Sequence, residues 1–277
     1  MRILHVSAGW EPTNGAAVIA RQVAARQAAR GDEVSFATWA SPAALRRADE
    51  VWTHCGWLPC LWWAGLFARR LVRMPEACYD PVRLKYSAWK KRLVGPFERF
   101  FLRRAGKVVA TCGAEKEWIG EYEPKAKVET IDIRGFGWDS KMRIKVRPDF
   151  SYSRLRVLYM GRRHPLKGVA FLEEAARQAD CELKVVTDAL GEEKEAAFDW
   201  CDVFCLPTLS ENFGIVIAEA LARGKQVVTT DGAPAWNDDP RRGGQLVYLE
   251  GYRNGTDERR VELLVDALRS AARERGL

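Results

Sequence analysis

The chain has 277 residues, 47% of them hydrophobic, which is near the size at which a single core usually divides into two domains. Its seven cysteines form no C-x-x-C pair, which argues against a zinc site or a disulfide framework and indicates a reduced, cytosolic protein. The net charge of +7 lies mainly in residues 1–148, no nucleic-acid recognition motif accompanies it, and the longest uncharged apolar segment, 58–68, is too short to span a bilayer.

Strand-like and helix-like runs alternate from the first residue, a pattern that predicts parallel sheets covered by helices. Met1 leads directly into the first strand rather than into a signal peptide. In the first half, we predict strands near 2–7, 33–39, 50–55, 107–111 and 128–133, and helices near 15–30, 58–72, 82–105 and 113–122.

A polar stretch without clear periodicity, 140–154, interrupts this alternation, and we place a domain boundary between residues 147 and 148. The second half repeats the pattern. We predict strands near 155–160, 183–187, 202–206, 226–230 and 246–249, and helices near 167–179, 193–199, 213–223 and 257–275. Because open α/β sheets bind ligands at the carboxyl ends of their strands, a cleft between two such domains is the expected site.

The first candidate loop, WEPTNGAAVIARQ, follows the first strand. Gly15 lets the backbone approach a ligand closely. The helix that begins near Ala16 would present free N–H groups and the positive end of its dipole, which favours a phosphate. An ordinary strand-to-helix turn explains the same glycine, so this motif alone leaves both interpretations open.

The second candidate, YMGRRHPLKGVAF, follows the first strand of the second half. Pro165 can begin a helix there, so Arg162 and Lys167 can reach one anion from a rigid frame. The spacing at a strand-to-helix corner favours a diphosphate site over a pair of unrelated surface cations.

The third candidate, CDVFCLPTLSENFG, predicts a buried strand, a proline exit and the N-terminus of an apolar helix. Backbone N–H groups at such a terminus can hold a phosphate or sugar hydroxyls. The residues that would offer them are Ser210, Asn212, Phe213 and Gly214.

Two carboxylates, Glu211 and Glu219, flank the apolar run that follows, eight positions apart. Along a helix this spacing is about 12 Å, close to the span between the sugar and the ribose of a nucleotide-diphosphate sugar. Glu219 is the only charge between Glu211 and Arg223, and such a carboxylate is costly unless something binds it. A helix cap at Glu211 and a solvent-facing Glu219 are the alternative interpretations.

The segment between Arg69 and Lys107 interleaves cations with aromatic side chains, a mixture that suits an anionic membrane surface or a phosphorylated acceptor. A solvated helix face with its aromatics turned into the core explains it equally well. The cations are Arg69, Arg70, Arg73, Arg83, Lys85, Lys90, Lys91, Arg92, Arg99, Arg103, Arg104 and Lys107, and the aromatics are Trp89, Phe97, Phe100 and Phe101.

Several of these motifs together resemble the retaining glycosyltransferases of family 4. They are the G-A-A loop at Gly15, VWTHCGW, GRRHPLKG and DVFCLPTLSENFGIVIAEALARGKQVVTTDGAP with its E-x7-E pair, and the segment 75–93 is similar to the acceptor side of members that build surface polysaccharide. The resemblance implies an α/β GT-B fold with two Rossmann-like domains, 1–147 for the acceptor and 148–277 for the donor, whose parallel sheets face across a cleft.

The resemblance also implies roles for individual residues. Glu219 would bind the ribose of a nucleotide-sugar donor and Glu211 the transferred sugar, while Arg162 and Lys167 would neutralise the diphosphate. The Gly15 loop would close over the donor, and His54 would face the sugar. From the residues alone, His54 could simply end a buried strand, and we interpret His5 and His164 as structural.

We therefore predict a metal-independent, retaining transferase without a resident cofactor that moves a sugar to a lipopolysaccharide, lipid-linked or other surface-glycan acceptor. No D-x-D motif is present, consistent with cations in place of a metal. The chain departs from the family in its short segment 186–204 and in Glu76-Ala77, where relatives often have histidine or arginine followed by glycine. A degenerate, sugar-nucleotide-binding partner subunit is the alternative, and a dinucleotide oxidoreductase fails for lack of G-x-G-x-x-G.

Overall fold

The computed structural model describes residues 1–12, 14–134, 136 and 153–277. The chain divides into two compact units, Met1–Phe136 and Gly137–Leu277, called here the N-terminal and the C-terminal unit. The boundary expected between 147 and 148 lies outside the described residues and stays a prediction.

The N-terminal unit contains a six-stranded, all-parallel sheet with the strand order β2-β1-β3-β4-β5-β6. Parallel strands need crossover connections, and helices supply them. The strands are β1 (Arg2–Val6), β2 (Glu33–Ala37), β3 (Glu50–His54), β4 (Leu71–Met74), β5 (Lys107–Ala110) and β6 (Val128–Thr130); the helices are α1 (Gly15–Ala29), α2 (Pro42–Arg47), α3 (Pro59–Phe67), α4 (Pro81–Lys85), α5 (Ala88–Arg104) and α6 (Gly113–Tyr122).

The C-terminal unit contains a five-stranded parallel sheet with the order β11-β10-β9-β7-β8. Its strands are β7 (Arg156–Met160), β8 (Glu182–Val186), β9 (Val203–Leu206), β10 (Gln226–Thr230) and β11 (Leu246–Leu249). Its α-helices are α7 (Val169–Gln178), α8 (Gly191–Trp200), α9 (Ile215–Ala222) and α10 (Asp257–Glu274), and short 3-10 helices span Pro165–Lys167 and Pro234–Trp236.

The strands β7 and β9 show why this sheet forms from an uninterrupted apolar sequence. The residues of β9 are all buried, and β7 is buried from its second residue onwards. Central strands of a parallel sheet are covered on both faces by helices, so they read as continuous apolar runs rather than as alternating ones. The predicted α/β class with two parallel sheets is confirmed.

Two predictions in the N-terminal unit were wrong. The helix expected over 58–72 ends at Phe67, and residues 71–74 form strand β4 between β3 and β5. The helix expected over 82–105 is two helices, because Tyr86 has an extended ψ of 125° and Ser87 a left-handed φ of 52°, neither of which continues a helix. The charged run around Arg73 concealed β4, because Arg73 is buried there beside a carboxylate.

Candidate functional site

The carboxyl edge of the C-terminal sheet brings two candidate loops together. Because β7 and β9 are adjacent and parallel, the segments that follow them, 161–168 and 207–214, leave the sheet at the same edge. The backbone N–H of Leu209 donates to the oxygen of Leu166 at 2.7 Å, and the N–H of Glu211 donates to Gly232 at 2.8 Å. One backbone hydrogen bond therefore joins the predicted diphosphate and sugar loops to each other, and the second fixes the sugar loop to the segment that follows β10.

Glycines at two positions allow this close approach. A Cβ atom on Gly168 would lie 2.0 Å from the oxygen of Pro207, and one on Gly232 would lie 2.1 Å from the oxygen of Thr208. Gly168 also has a left-handed φ of 66°. Only a residue without a side chain fits such a position without moving the backbone.

Lys167 and Glu211 meet at this edge. Lys167 ends the 3-10 helix, and its ammonium forms an ion pair with the Oε2 of Glu211 while both side chains are more than four-fifths buried. The other oxygen of Glu211 accepts the backbone N–H of Asn212 at 3.1 Å. The pair joins the two loops through charge as well as through backbone.

Arg162 lies at the start of the same loop and is exposed. The hydroxyl of Tyr159 donates to its backbone oxygen at 2.9 Å, which fixes the backbone and leaves the guanidinium at the surface. Burial, followed by the charge of Glu211, raises the pKa of Tyr159, so this hydroxyl stays protonated and keeps donating at ordinary pH. His164 accepts the N–H of Leu166 at 3.2 Å and caps the 3-10 helix, as expected for a structural residue.

The loop before α9 is tightly packed. Ser210, Asn212 and Phe213 are buried, and Gly214 adopts a left-handed φ of 70°. The N–H of Ser210 donates to Thr208 Oγ1 at 3.3 Å, so a ligand would have to compete for the N–H groups of Ser210 and Asn212. The roles predicted for these four residues stay predictions.

Glu219 lies in α9, whose first residue is Ile215, so Glu211 lies outside the helix and the 12 Å estimate from helical rise does not apply. The Oε1 of Glu219 is 2.5 Å from the ammonium of Lys194 in α8. Its Oε2 is buried and has no hydrogen-bond partner among the described residues. Lys194 therefore supplies one partner of this carboxylate, and the predicted ribose contact of Glu219 stays a prediction.

Sequence reasoning missed Lys194. It lies in the short segment 186–204, within the helix predicted near 193–199, and its partner is 25 positions further along the chain. The next residue, Glu195, pairs in the opposite sense with Arg223, the C-cap residue of α9, at 2.8 Å. Two adjacent, oppositely charged residues of α8 thus fix it to α9, and the charge alternation was the only signal in the sequence.

In the N-terminal unit, Gly15 is the first residue of α1, as predicted. The side chain of Asn14 accepts the N–H of Ala16 at 3.1 Å and caps the helix. Part of the N-terminal hydrogen-bonding capacity of α1 is therefore already used. The phosphate-binding role of Gly15 and Ala16 stays a prediction.

His54 ends β3 in a buried chain of hydrogen bonds. Its Nε2 is 2.9 Å from Nδ1 of His5, and its Nδ1 is 3.1 Å from Oε1 of Glu76. The Nε2 of His5 in turn lies 2.8 Å from the amide oxygen of Gln27. A sugar could bond a ring nitrogen of His54 only if one of these bonds broke, and the predicted contact stays a prediction.

The direction of this chain is fixed from one end. The amide oxygen of Gln27 can only accept, so Nε2 of His5 donates and its Nδ1 accepts from His54. The remaining nitrogen of His54 must then accept from Glu76, which requires a protonated carboxyl group. Burial raises the pKa of Glu76 to about 8 and lowers the pKa of both histidines to about 3, so the chain is neutral despite its salt-bridge geometry.

The segment between Arg69 and Lys107 has some of its cations and aromatic side chains in the core and the others at the surface. Trp89, Phe97 and Phe100 are exposed, and only Phe101 turns into the core. The interpretation that these aromatics pack inward is therefore wrong for three of four. Arg73, counted among the surface cations, is buried and pairs with Glu98 at 2.6 Å.

Among the residues that the structure describes, no group of three or more His, Cys, Asp or Glu side chains could hold a metal ion. None of the helices in the same residues is both long and apolar enough to cross a membrane. All seven cysteines are free.

Comparisons with known proteins agree with this architecture. A family model described as "Glycosyl transferases group 1" matches residues 148–266, and one described as "Glycosyl transferase 4-like domain" matches residues 39–132. No curated protein matches the chain.

Solved structures resemble the whole described fold at low identity. HepE from Anabaena, in complex with UDP and glucose, is 16% identical with a TM-score of 0.65, over 99% of this chain and 95% of that one. WaaG, a glycosyltransferase involved in lipopolysaccharide biosynthesis, is 14% identical with a TM-score of 0.65, over 98% and 93%. Sucrose-phosphate synthase from Thermosynechococcus elongatus is 15% identical with a TM-score of 0.65, over 99% and 97%. The two models together match most of the chain, which is therefore a glycosyltransferase with the GT-B fold, and at 277 residues a short one.

Proposed function

We propose that the C-terminal unit binds a nucleotide-diphosphate sugar at the carboxyl edge of β7 and β9. The observation that carries the proposal is the contact between Lys167 and Glu211, which joins the two loops expected to hold the diphosphate and the sugar. HepE has been solved in complex with UDP-glucose, so uridine diphosphate sugars are the first donors to test.

The chemistry proposed for this edge is charge stabilisation. When the bond between sugar and phosphate breaks, negative charge grows on the diphosphate, and fixed cations stabilise it without reorganising. The ammonium of Lys167 has three donors and can keep Glu211 while it binds a phosphate oxygen. The guanidinium of Arg162 is exposed at the start of the same loop and can supply a second positive charge.

We propose that transfer proceeds with retention and without a metal ion. The acceptor hydroxyl would attack the sugar on the face that the phosphate leaves, and the leaving phosphate would take the hydroxyl proton. Glu211 would orient the sugar, and Glu219, whose side chain is 14% exposed, would bind the ribose. His54, and the α1 N-terminus at Gly15 and Ala16, remain candidate contacts of the N-terminal unit.

The acceptor that we propose is a lipid-linked or lipopolysaccharide glycan, met by a cytoplasmic protein at the inner face of a membrane. The support is the exposed surface of α5, on which Trp89, Phe97 and Phe100 lie among cations. Aromatic and basic residues on one helix are typical of attachment to an anionic membrane surface.

The test is transfer and donor hydrolysis with a panel of nucleotide sugars, for the wild type, Lys167→Met and Glu211→Gln. Loss of a preorganised charge at a developing anion typically costs about 100- to 1,000-fold in rate, and we expect that loss for Lys167→Met. Glu174→Gln is the matched control, because it removes a carboxylate of the same unit that pairs with Arg177 at the exposed surface.

Each outcome bears on a different part of the proposal. Wild-type turnover in Lys167→Met or Glu211→Gln would show that the site is elsewhere. Tight binding of a nucleotide sugar without hydrolysis or transfer to any acceptor would favour the degenerate partner subunit. A chelator that abolished transfer would contradict metal independence, and an inverted product would contradict retention.

A further inference from the structure

A groove of about 640 Å³ lies between α3 and α5 on the N-terminal unit. This volume is within the range of about 300–1,000 Å³ that is usual for small-molecule sites. The side chains that form most of its wall are aromatic or aliphatic: Trp39, Trp62, Trp63, Leu66, Phe97 and Phe100. The proposed donor site does not use this groove, since all its lining residues belong to the N-terminal unit.

The polar atoms of the groove wall are turned away from it. The indole N–H of Trp62 donates to Oε2 of Glu98 at 2.5 Å, and the indole N–H of Trp63 donates to the backbone oxygen of Ala40 at 3.0 Å. A sugar or nucleotide in the groove would lose its water without gaining hydrogen bonds, which is unfavourable. A hydrocarbon chain has no such requirement and gains the full benefit of leaving water.

The groove has a rigid base. A Cβ atom on Gly65 would lie 2.6 Å from the ring of Phe101, so α3 and α5 touch at this level. Glu98 binds Arg73 at 2.6 Å and Tyr79 at 2.5 Å in addition to Trp62, which fixes α5 to the sheet and to α3. The groove is therefore a preformed feature of the packing.

The exposed side of α5 continues the apolar surface beyond the groove. Trp89, Leu93, Phe97 and Phe100 follow one another at helical spacing and are 52–72% exposed. Contiguous exposed apolar surface of this kind marks an interaction site in most soluble proteins.

The charges around this stripe have one sign. Glu98, the acidic residue of α5, is fully buried, so the charges that α5 presents to solvent come from lysine and arginine. At the far end of the groove, Arg104 donates to the backbone oxygens of Gly65 and Ala68, at 2.8 and 3.1 Å, beside the lining residue Leu66. An occupant with an apolar chain and an anionic head is complementary to both parts of this surface.

We propose that the groove between α3 and α5 binds the hydrocarbon chain of an anionic membrane lipid, while the cations of α5 hold its phosphate. The inference deepens the acceptor proposed above and rests on the proposed attachment to a membrane. A membrane-facing stripe alone would need only α5, whereas this proposal assigns α3 a role in enclosing one chain.

The test uses dodecyl phosphate below its micellar concentration, titrated calorimetrically into the full chain. We expect saturable binding of one molecule, at least tenfold weaker binding in Leu66→Asp, and binding within twofold of wild type in Leu93→Asp. The two variants introduce the same charge at exposed leucines of the same unit, and only Leu66 lines the groove. Circular dichroism and the melting temperature show that each variant is folded.

Vesicle sedimentation separates the groove from the surface. With vesicles of 30% phosphatidylglycerol in phosphatidylcholine, both variants should bind several-fold less than wild type, because both introduce a carboxylate into the membrane-facing side.

Dodecyl maltoside, with the same chain and a neutral head, should bind several-fold more weakly than dodecyl phosphate.

Three results would overturn the proposal: no saturable binding of dodecyl phosphate by wild type, an equal loss in both variants, or equal affinity for dodecyl maltoside. Binding of UDP, measured on the same proteins, should be unchanged in Leu66→Asp. A negative groove result with intact UDP binding and turnover therefore rejects the groove alone, whereas unaffected transfer in Lys167→Met rejects the donor site.

Discussion

Buried acidic side chains at the carboxyl edges of the two sheets have different partners. In the C-terminal unit, Glu211 and Glu219 each face a lysine, Lys167 and Lys194, and remain partly accessible. In the N-terminal unit, Glu76 is 4% exposed and faces a histidine that burial keeps neutral. The same fold thus carries one edge of ion pairs and one edge of neutral hydrogen bonds.

The C-terminal edge can therefore exchange a protein contact for a ligand contact. The N-terminal edge cannot, and we call it the sealed edge. A lysine paired with a carboxylate can share its donors with an anionic ligand, because both groups are already charged and partly hydrated. A protonated carboxyl group in a closed chain of hydrogen bonds already uses its one hydrogen-bond donor. Binding of the nucleotide sugar is therefore expected at the C-terminal edge, while the N-terminal edge fixes the position of His54.

The largest effect is expected from crowding the C-terminal edge with Gly168→Ala. The new Cβ would lie 2.0 Å from the oxygen of Pro207 at a φ of 66°. A left-handed alanine costs about 1–2 kcal/mol and overpacking about 1–3 kcal/mol, so we expect a loss of about 2–5 kcal/mol in the free energy of unfolding. Urea denaturation of the full chain measures it.

Gly251→Ala is the matched control for this substitution. Gly251 belongs to the same unit and has a similar φ of 73°, but a Cβ there meets nothing within 4 Å. We expect only the conformational cost of about 1–2 kcal/mol. Equal losses in the two variants would mean that the loops 161–168 and 207–214 are not pressed together as described.

The sequence predicts most of this edge because its signals are local. The strands β7 and β9 are continuous apolar runs, and Gly168 and Gly214 stand at loop positions with positive φ. Local patterns of this kind determine where loops begin and end, and parallel topology then brings them together.

What the sequence could not show depends on pairs that are distant along the chain. Strand β4 was missed because Arg73 reads as a surface charge until Glu98, 25 positions later, is known to bind it. Lys194 was missed for the same reason, since Glu219 is on another helix. The helical spacing of Trp89, Phe97 and Phe100 indicates one stripe, but only the fold shows that this stripe faces outward.

The second prediction concerns the sealed edge and its dependence on pH. The pKa of Glu76 is raised from 4.5 to about 8, so the folded state binds the extra proton and stability falls as pH rises through this interval. The pKa values of His5 and His54 are lowered from 6.5 to about 3, so their contribution rises with pH up to 6.5. The combined contribution of these three groups therefore peaks near pH 6.5.

Glu76→Gln isolates the carboxyl contribution. An amide can donate to Nδ1 of His54 as the protonated carboxyl does, and it does not titrate. Between pH 6.5 and 8 the wild type should lose about 2 kcal/mol relative to the variant, from about 1.4 kcal/mol per pH unit. Urea denaturation at several pH values measures the difference between the two proteins.

Other titratable groups lie near Glu76, so the quantity to measure is the difference in unfolding free energy between wild type and Glu76→Gln at each pH. The thiol of Cys55 donates to Oε2 of Glu76 at 3.7 Å, and the charge of Arg83 lowers the pKa of Glu76. Glu115 lies close enough for a charge on Glu76 to raise the pKa of Glu115. Their contributions are largely common to both proteins. Parallel pH profiles would show that Glu76 is ionised in the folded state and that the chain runs in the opposite direction.

The last effect, comparable in size to that of Glu76→Gln, is expected from Lys194→Met, which removes the cation that pairs with Glu219, the residue proposed to bind the ribose. The lysine and glutamate side chains are 19% and 14% exposed. Removing one partner of so buried a pair leaves the carboxylate of Glu219 uncompensated, which should lower the free energy of unfolding by about 1–3 kcal/mol. If ribose hydroxyls bind Glu219, saturating UDP supplies the lost partner and should stabilise this variant more than it stabilises wild type.

The control for Lys194→Met is Glu195→Gln, which weakens the adjacent pair between α8 and Arg223, the C-cap residue of α9. Calorimetric or fluorescence-monitored unfolding with and without UDP gives the stabilisation by ligand for each protein. Glu195→Gln should show the same stabilisation as wild type, because Glu219 keeps Lys194. A smaller stabilisation of Lys194→Met than of wild type would instead mean that Lys194 itself holds the nucleotide, which would make it a donor contact and leave Glu219 as the residue that positions it.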